Sequence, residues 1–152
     1  MSDTRPLVAV TMGDPAGIGS EVVVAAYREL LDAARPLVVG DADVIRAAVD
    51  VVDSDLAVAS VASVDGASFD RDAIPVLDLG NVDDIEYGVV REAYGAASLE
   101  YVERAIDLAI SGAVDAITTA PINKQATRLA GSQHAGHTGL LAARTDTDDY
   151  SM

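Results

Sequence analysis

Apolar and polar positions along this chain follow two rhythms. Short runs rich in valine, leucine and isoleucine stand at residues 7–11 (LVAVT), 37–39, 56–60, 74–77 and 114–119. Runs of this length, bounded by Gly, Pro and Asp, are the pattern of buried strands. Between them the apolar residues fall at helical spacing. Positions 23, 26, 27, 30 and 31 mark one face of a helix predicted over 21–34, with Ser20 as its cap. Gly40-Asp41 opens a second helix that runs to about Val49. A long helix is predicted from about Arg91 to Ser111, with Gly112 just past its end. Its apolar face comprises Ala93, Ala96, Ala97, Leu99, Tyr101, Ile106 and Ile110. Shorter helices are expected at 123–130 and 137–144, and irregular stretches at 65–73 and 79–90. Strands that alternate with helices predict an α/β fold with a mostly parallel sheet and flanking helices.

Composition narrows the picture. The 152 residues suit one domain, and half of them are apolar but only 4% aromatic, so the core must be Ala, Val, Ile and Leu. No apolar run reaches the ~18 residues of a membrane span, and Met1–Arg5 is too polar for a signal peptide. Cysteine is absent, which removes disulfides and thiolate metal sites and makes a cytoplasmic protein the expectation. The formal charge is −15, with Asp outnumbering Glu 19 to 6. A surface so acidic argues against nucleic acid or an anionic membrane as partner. It resembles proteins adapted to a salt-rich cytoplasm, where screening weakens self-repulsion.

Three segments could carry chemistry. Gly13, Asp14, Gly17 and Gly19 lie in the turn after the first strand, where glycine lets backbone approach a ligand and a helix start favours anions. Their spacing is neither G-x-G-x-x-G nor a Walker loop, so a plain tight turn is the alternative. The second segment, Thr118 to Lys124 (TTAPINK), follows the last predicted strand and holds the chain's single lysine. Open α/β sheets bind ligands at such strand ends. Asn123 and Lys124 should stand at a helix start, where Lys124 could hold a phosphate as a point charge or act as acid or base if buried. The third is Gly136-His137-Thr138, a histidine beside a hydroxyl, suited to orienting a phosphorylated or hydroxylated ligand. His134 and His137, the only histidines, are spaced for one helical face but lack the further ligands of a metal site.

In order and spacing, MGDPAGIGSE (12–21), TTAPINKQA (118–126) and AGHTGLLA (135–142) resemble the 4-hydroxythreonine-4-phosphate dehydrogenase family of vitamin B6 biosynthesis. The resemblance implies the isocitrate/isopropylmalate dehydrogenase-like fold, a homodimer, NAD, and a divalent metal (Zn, Mg, Mn or Co). The implied reaction is oxidation, with decarboxylation, of 4-phosphooxy-threonine. His137 and Thr138 fall on the family's substrate-binding pair, and Asn123 and Lys124 on a pocket-facing segment. Some members carry His at the position of Asn123. The Asn form resembles a branch acting on threonate or erythronate 4-phosphate. Members often read GPE and GHTE where this chain has Ser20 and Gly139.

Members are also about twice as long, and their histidine metal ligands fall beyond residue 152. The turn-like run at 146–149 and the strand-like start at Tyr150–Met152 give the end an interrupted look. The expectation is an amino-terminal half that supplies the substrate pocket, lacks the metal ligands and does not turn over alone. A non-catalytic remnant or binding module is the other reading.

Overall fold

The computed structural model describes residues 3–134 and 136–149. Its five strands are β1 (Leu7–Thr11), β2 (Arg35–Gly40), β3 (Ala57–Val61), β4 (Ala73–Asp78) and β5 (Ala116–Thr119). They form one sheet in the order β3-β4-β2-β1-β5, with every pairing parallel. The helices are α1 (Gly19–Leu30), α2 (Ala42–Val51), α3 (Glu92–Ile110), α4 (Lys124–Leu129) and α5 (His137–Arg144), with a short 3-10 turn at Val64–Gly66.

Central strands β1, β2 and β4 are almost wholly buried, so they need no polar alternation. Leu37, Val38, Val39, Ile74 and Val76 fill the middle of the core beside Ile45 and Tyr27. Tyr27 and Tyr101 are the largest side chains in that core, and the Tyr27 hydroxyl lies 3.0 Å from the Asp70 carbonyl and 2.9 Å from that of Ala73. That bond lets a polar tip enter an apolar core.

Several expectations shift. Strands β2 and β4 begin earlier than predicted, at Arg35 and Ala73, and each holds a proline, Pro36 or Pro75. Each precedes the first β2–β4 pair, Val38↔Val76, so no bond between those strands is lost. Helix α1 begins earlier and ends earlier than predicted, and Ile18 rather than Ser20 occupies its N-cap. Ser20 lies inside the first turn, buried, and its hydroxyl has no partner among the described residues. The buried face of α3 is Tyr94, Gly95, Ala97, Ser98, Tyr101, Val102, Ala105 and Ile106, whereas Ala93, Ala96 and Ile110 are exposed. Close packing against α4 selects this face: a Cβ on Gly95 would collide with the Ala126 carbonyl and lie 2.7 Å from the Thr127 nitrogen. The strand-like start at Tyr150–Met152 lies outside the described residues.

Candidate functional site

Strand order sets the place. The chain leaves β1 for β2 on one side and later returns to β1's other side as β5. Crossovers that diverge in this way open a crevice beyond the carboxyl ends of the two strands, the usual ligand position in open α/β sheets. The turn after β1 is the glycine loop, and the turn after β5 is the Pro121–Lys124 segment. The fold therefore brings two of the three candidate segments together, although they are over a hundred residues apart.

Their contact is backbone on backbone. The Asp14 amide donates to the Pro121 carbonyl at 3.0 Å. Gly13 has φ +78°, and a Cβ there would collide with that same carbonyl. A Cβ on Gly19 would strike the Met12 carbonyl and lie 2.9 Å from Ala120 Cβ. These two glycines are thus needed for close approach of the turns. Gly17, in contrast, would meet only ordinary contacts from 3.5 Å outward.

Between the turns lies an open cleft of about 290 Å³, walled by Ala16, Gly17, Ile18, Gly88, Val89, Pro121 and Ile122, with Asp14 and Asn123 as its polar members. Asp14 is 5% exposed. Its Oδ1 accepts from the Ala16 amide at 2.7 Å, while Oδ2 has no partner among the described residues. Burial pushes the carboxyl above the ordinary Asp value, against the opposing effect of the Ala16 bond. Asn123 caps α4: its Oδ1 accepts from Gln125 and Ala126 amides at 2.9 and 3.0 Å, which leaves its amide NH2 as a donor.

Lys124 is exposed at the start of α4 and does not line the cleft. It lies beside the third segment, since a Cβ on Gly136 would be 3.7 Å from Lys124 Cε. Exposure fits a point charge better than a buried acid or base. His137 opens α5, and its buried Nε2 has no partner among the described residues. It lines a void of about 10 Å³ with Leu99, Val102, Ile122 and Leu140. Burial lowers its imidazole below the ordinary value, so neutral histidine is favoured. Ile122 lines both this void and the cleft, which makes the two regions neighbours. Thr138 follows within the first turn of α5.

His134 precedes α5 instead of sharing its face, a correction to the spacing argument, although it lines the same void. Its main-chain amide bonds Ser132 Oγ at 3.3 Å, which belongs to a turn and not a helix. Among the described residues no three His, Asp or Glu side chains come together as a metal site, so these residues alone do not fit a bound divalent ion.

Periodicity missed the outer wall of the cleft. Gly88 and Val89 of the 79–90 loop form it, and α3 tyrosines hold that loop in place: Tyr101 donates to Asn81 Oδ1 at 2.7 Å, and Tyr94 bonds the backbone at Asp84 and Glu86. Gly80 and Gly88, at φ +56° and +76°, were the local signs that this loop follows a defined path.

With this geometry in view, comparison with known proteins is specific. A protein of Halalkalibacterium halodurans named "Putative D-threonate 4-phosphate dehydrogenase" is 39% identical over 149 residues, covering 95% of this chain and 45% of its own length. The 4-hydroxythreonine-4-phosphate dehydrogenase of Trichlorobacter lovleyi is 39% identical over 157 residues, covering all of this chain and 47% of its own. The crystal structure of a 4-hydroxythreonine-4-phosphate dehydrogenase from Burkholderia phymatum superposes with a TM-score of 0.93 at 37% identity, over 97% of this chain and 46% of that one. The chain spans about half the length of the relatives it matches. Residues 32–152 match the model of the pyridoxal phosphate biosynthetic protein PdxA, and the chain belongs to that family.

Proposed function

We propose that this chain forms the phosphosubstrate side of an NAD-dependent, metal-assisted dehydrogenase. The substrate is a four-carbon hydroxy acid phosphate, with 4-phosphooxy-threonine first and threonate or erythronate 4-phosphate second. The observation that carries the reading is the meeting of the glycine loop and the Pro121–Lys124 turn at the divergence of β1 and β5, with Gly136–Thr138 beside Lys124. The second substrate is favoured by Asn123 and by the name of the H. halodurans relative.

Each group has a task in this reading. Lys124 and the first amides of α5 attract the phosphate. His137, kept neutral by burial, exchanges a hydrogen bond with a substrate hydroxyl through Nε2, and Thr138 orients the same end. Asn123 offers its NH2 across the cleft to the acid or alcohol oxygens. NAD and a divalent metal, held by the half of the family polypeptide that this chain does not match, would supply the hydride acceptor and the polarisation of the alcohol oxygen. The metal ligands come from the half of the family polypeptide that this chain does not match, and the working enzyme is a cytoplasmic homodimer.

The test is binding and turnover measured on the same sample. Calorimetry should show 4-phosphooxy-threonine or D-threonate 4-phosphate binding, weakened at least about tenfold in His137→Ala, the loss expected for one charge-assisted or buried hydrogen bond. NADH formation with NAD and Mg, Mn, Zn or Co should be absent. Metal-dependent NADH formation by the chain alone would overturn the half-enzyme reading. Failure of both phosphates to bind would overturn the substrate pocket and leave the binding-module reading without its ligand.

A further inference from the structure

We propose that Tyr94 is a positioning residue: it latches the 84–89 segment and thereby sets the outer wall of the cleft. The ring is 3% exposed, rooted in α3, and its hydroxyl meets three groups of the loop region. It accepts from the Glu86 amide at 2.9 Å and from Arg91 Nη1 at 3.2 Å, and it donates to the Asp84 carbonyl at 2.8 Å. One oxygen thus uses all its hydrogen-bonding capacity on a turn that has no regular secondary structure. Arg91 stacks on the same ring, 5.3 Å from its centroid, and pairs with Glu86 and Asp84.

Two residues beyond this latch, the Gly88 amide donates to the Ala16 carbonyl at 2.9 Å. That bond joins the loop to the glycine turn across the mouth of the cleft. Gly88 itself touches little: a Cβ there would find nothing within 4 Å. Packing therefore does not hold the wall at Gly88. The hydroxyl of Tyr94 on one side and the Ala16 carbonyl on the other fix it, with Ile85 packed on the core between Asp84 and Glu86. The role of the wall rests on the cleft belonging to the proposed site, but the latch can be measured without any ligand.

Tyr94→Phe removes one oxygen, keeps the buried ring and should leave the fold intact. Amide hydrogen exchange, read residue by residue alongside urea unfolding, decides the matter. Exchange at Gly88 should accelerate at least about tenfold more than at the Val10 and Val38 amides of the core, since the buried bonds lost are each worth that order. Glu86→Pro removes the same bond from the exposed loop side and should loosen Gly88 in the same way. Gly88 exchange that changes only in step with the core, or not at all, in both variants would overturn the latch. Phosphosubstrate binding is scored separately, so its failure counts against the proposed function and not against Tyr94.

Discussion

Replacing Gly13 by alanine separates two costs that the structure combines at one residue. The first is conformational: φ of +78° is left-handed, which costs an L-residue roughly 1–2 kcal/mol. The second is steric: the new Cβ meets the Pro121 carbonyl and lies 3.1 Å from Ala120 C, backbone that cannot swing aside. Overpacking of this kind typically costs about 1–3 kcal/mol. Together they predict a loss of about 2–5 kcal/mol, a large part of the ~5–15 kcal/mol that holds an ordinary domain. Gly112 supplies the control. Its φ is +76°, almost the same, yet a Cβ there finds nothing within 4 Å. Gly112→Ala should therefore show the strain alone, about 1–2 kcal/mol. Gly19→Ala should show collision without left-handed strain, about 1–3 kcal/mol. Urea unfolding followed by circular dichroism gives all three at constant slope. A Gly13→Ala loss no larger than that of Gly112→Ala would refute the close approach of the two turns, and with it the cleft's geometry.

Three further predictions use the same assay, and a fourth uses thermal unfolding. Asp14→Asn keeps an acceptor for the Ala16 amide and removes a carboxylate whose charge is disfavoured by burial; it should stabilise at neutral pH, with the gain shrinking as pH falls toward the ordinary Asp value of ~3.9. Equal stability of the two proteins at neutral pH would refute that burial cost. His137 works in the opposite direction. Its folded value is lowered, so the unfolded chain takes the proton first and stability falls as pH drops through ~6.5, levelling off below the folded value. His137→Gln should flatten the urea midpoint across that window, and an unchanged slope would count against burial of the ring. Asn123→Ala removes both cap bonds of α4 and should cost about 0.5–2 kcal/mol. Finally, with a formal charge of −15, the thermal midpoint should rise from dilute buffer to ~1 M KCl. A circular dichroism spectrum and midpoint indifferent to salt would reject the salt-adapted reading.

Much of this could be read along the chain because it depends on local rules. Unbroken apolar runs mark strands buried on both faces, and β1 fell where its run predicted. The parallel sheet followed from the alternation of strands with helices. The lone lysine and the Gly-His-Thr turn pointed to one neighbourhood, and their motifs in series pointed to the family. What eluded the sequence was non-local. Ser20 has cap chemistry, but the turn at 15–18 leads into a helix that already starts at Gly19, which places Ile18 at the cap and buries Ser20 within the helix. Apolar spacing allowed α3 a broad face. Only the backbone contact of Gly95 with α4, and the tyrosines that grip the 79–90 loop, chose which side turned inward.

The sequence by itself determined the kinds of element, the parallel class of the sheet and the residue types available for chemistry, because each rests on propensity or periodicity among near neighbours. The tertiary structure alone decided that β5 returns beside β1, and so that Asp14 and Asn123 share a cleft, Lys124 lies beside Gly136, and Gly88 closes the wall. Those pairings join residues from about a dozen to more than a hundred positions apart, and burying one common core is what fixes them.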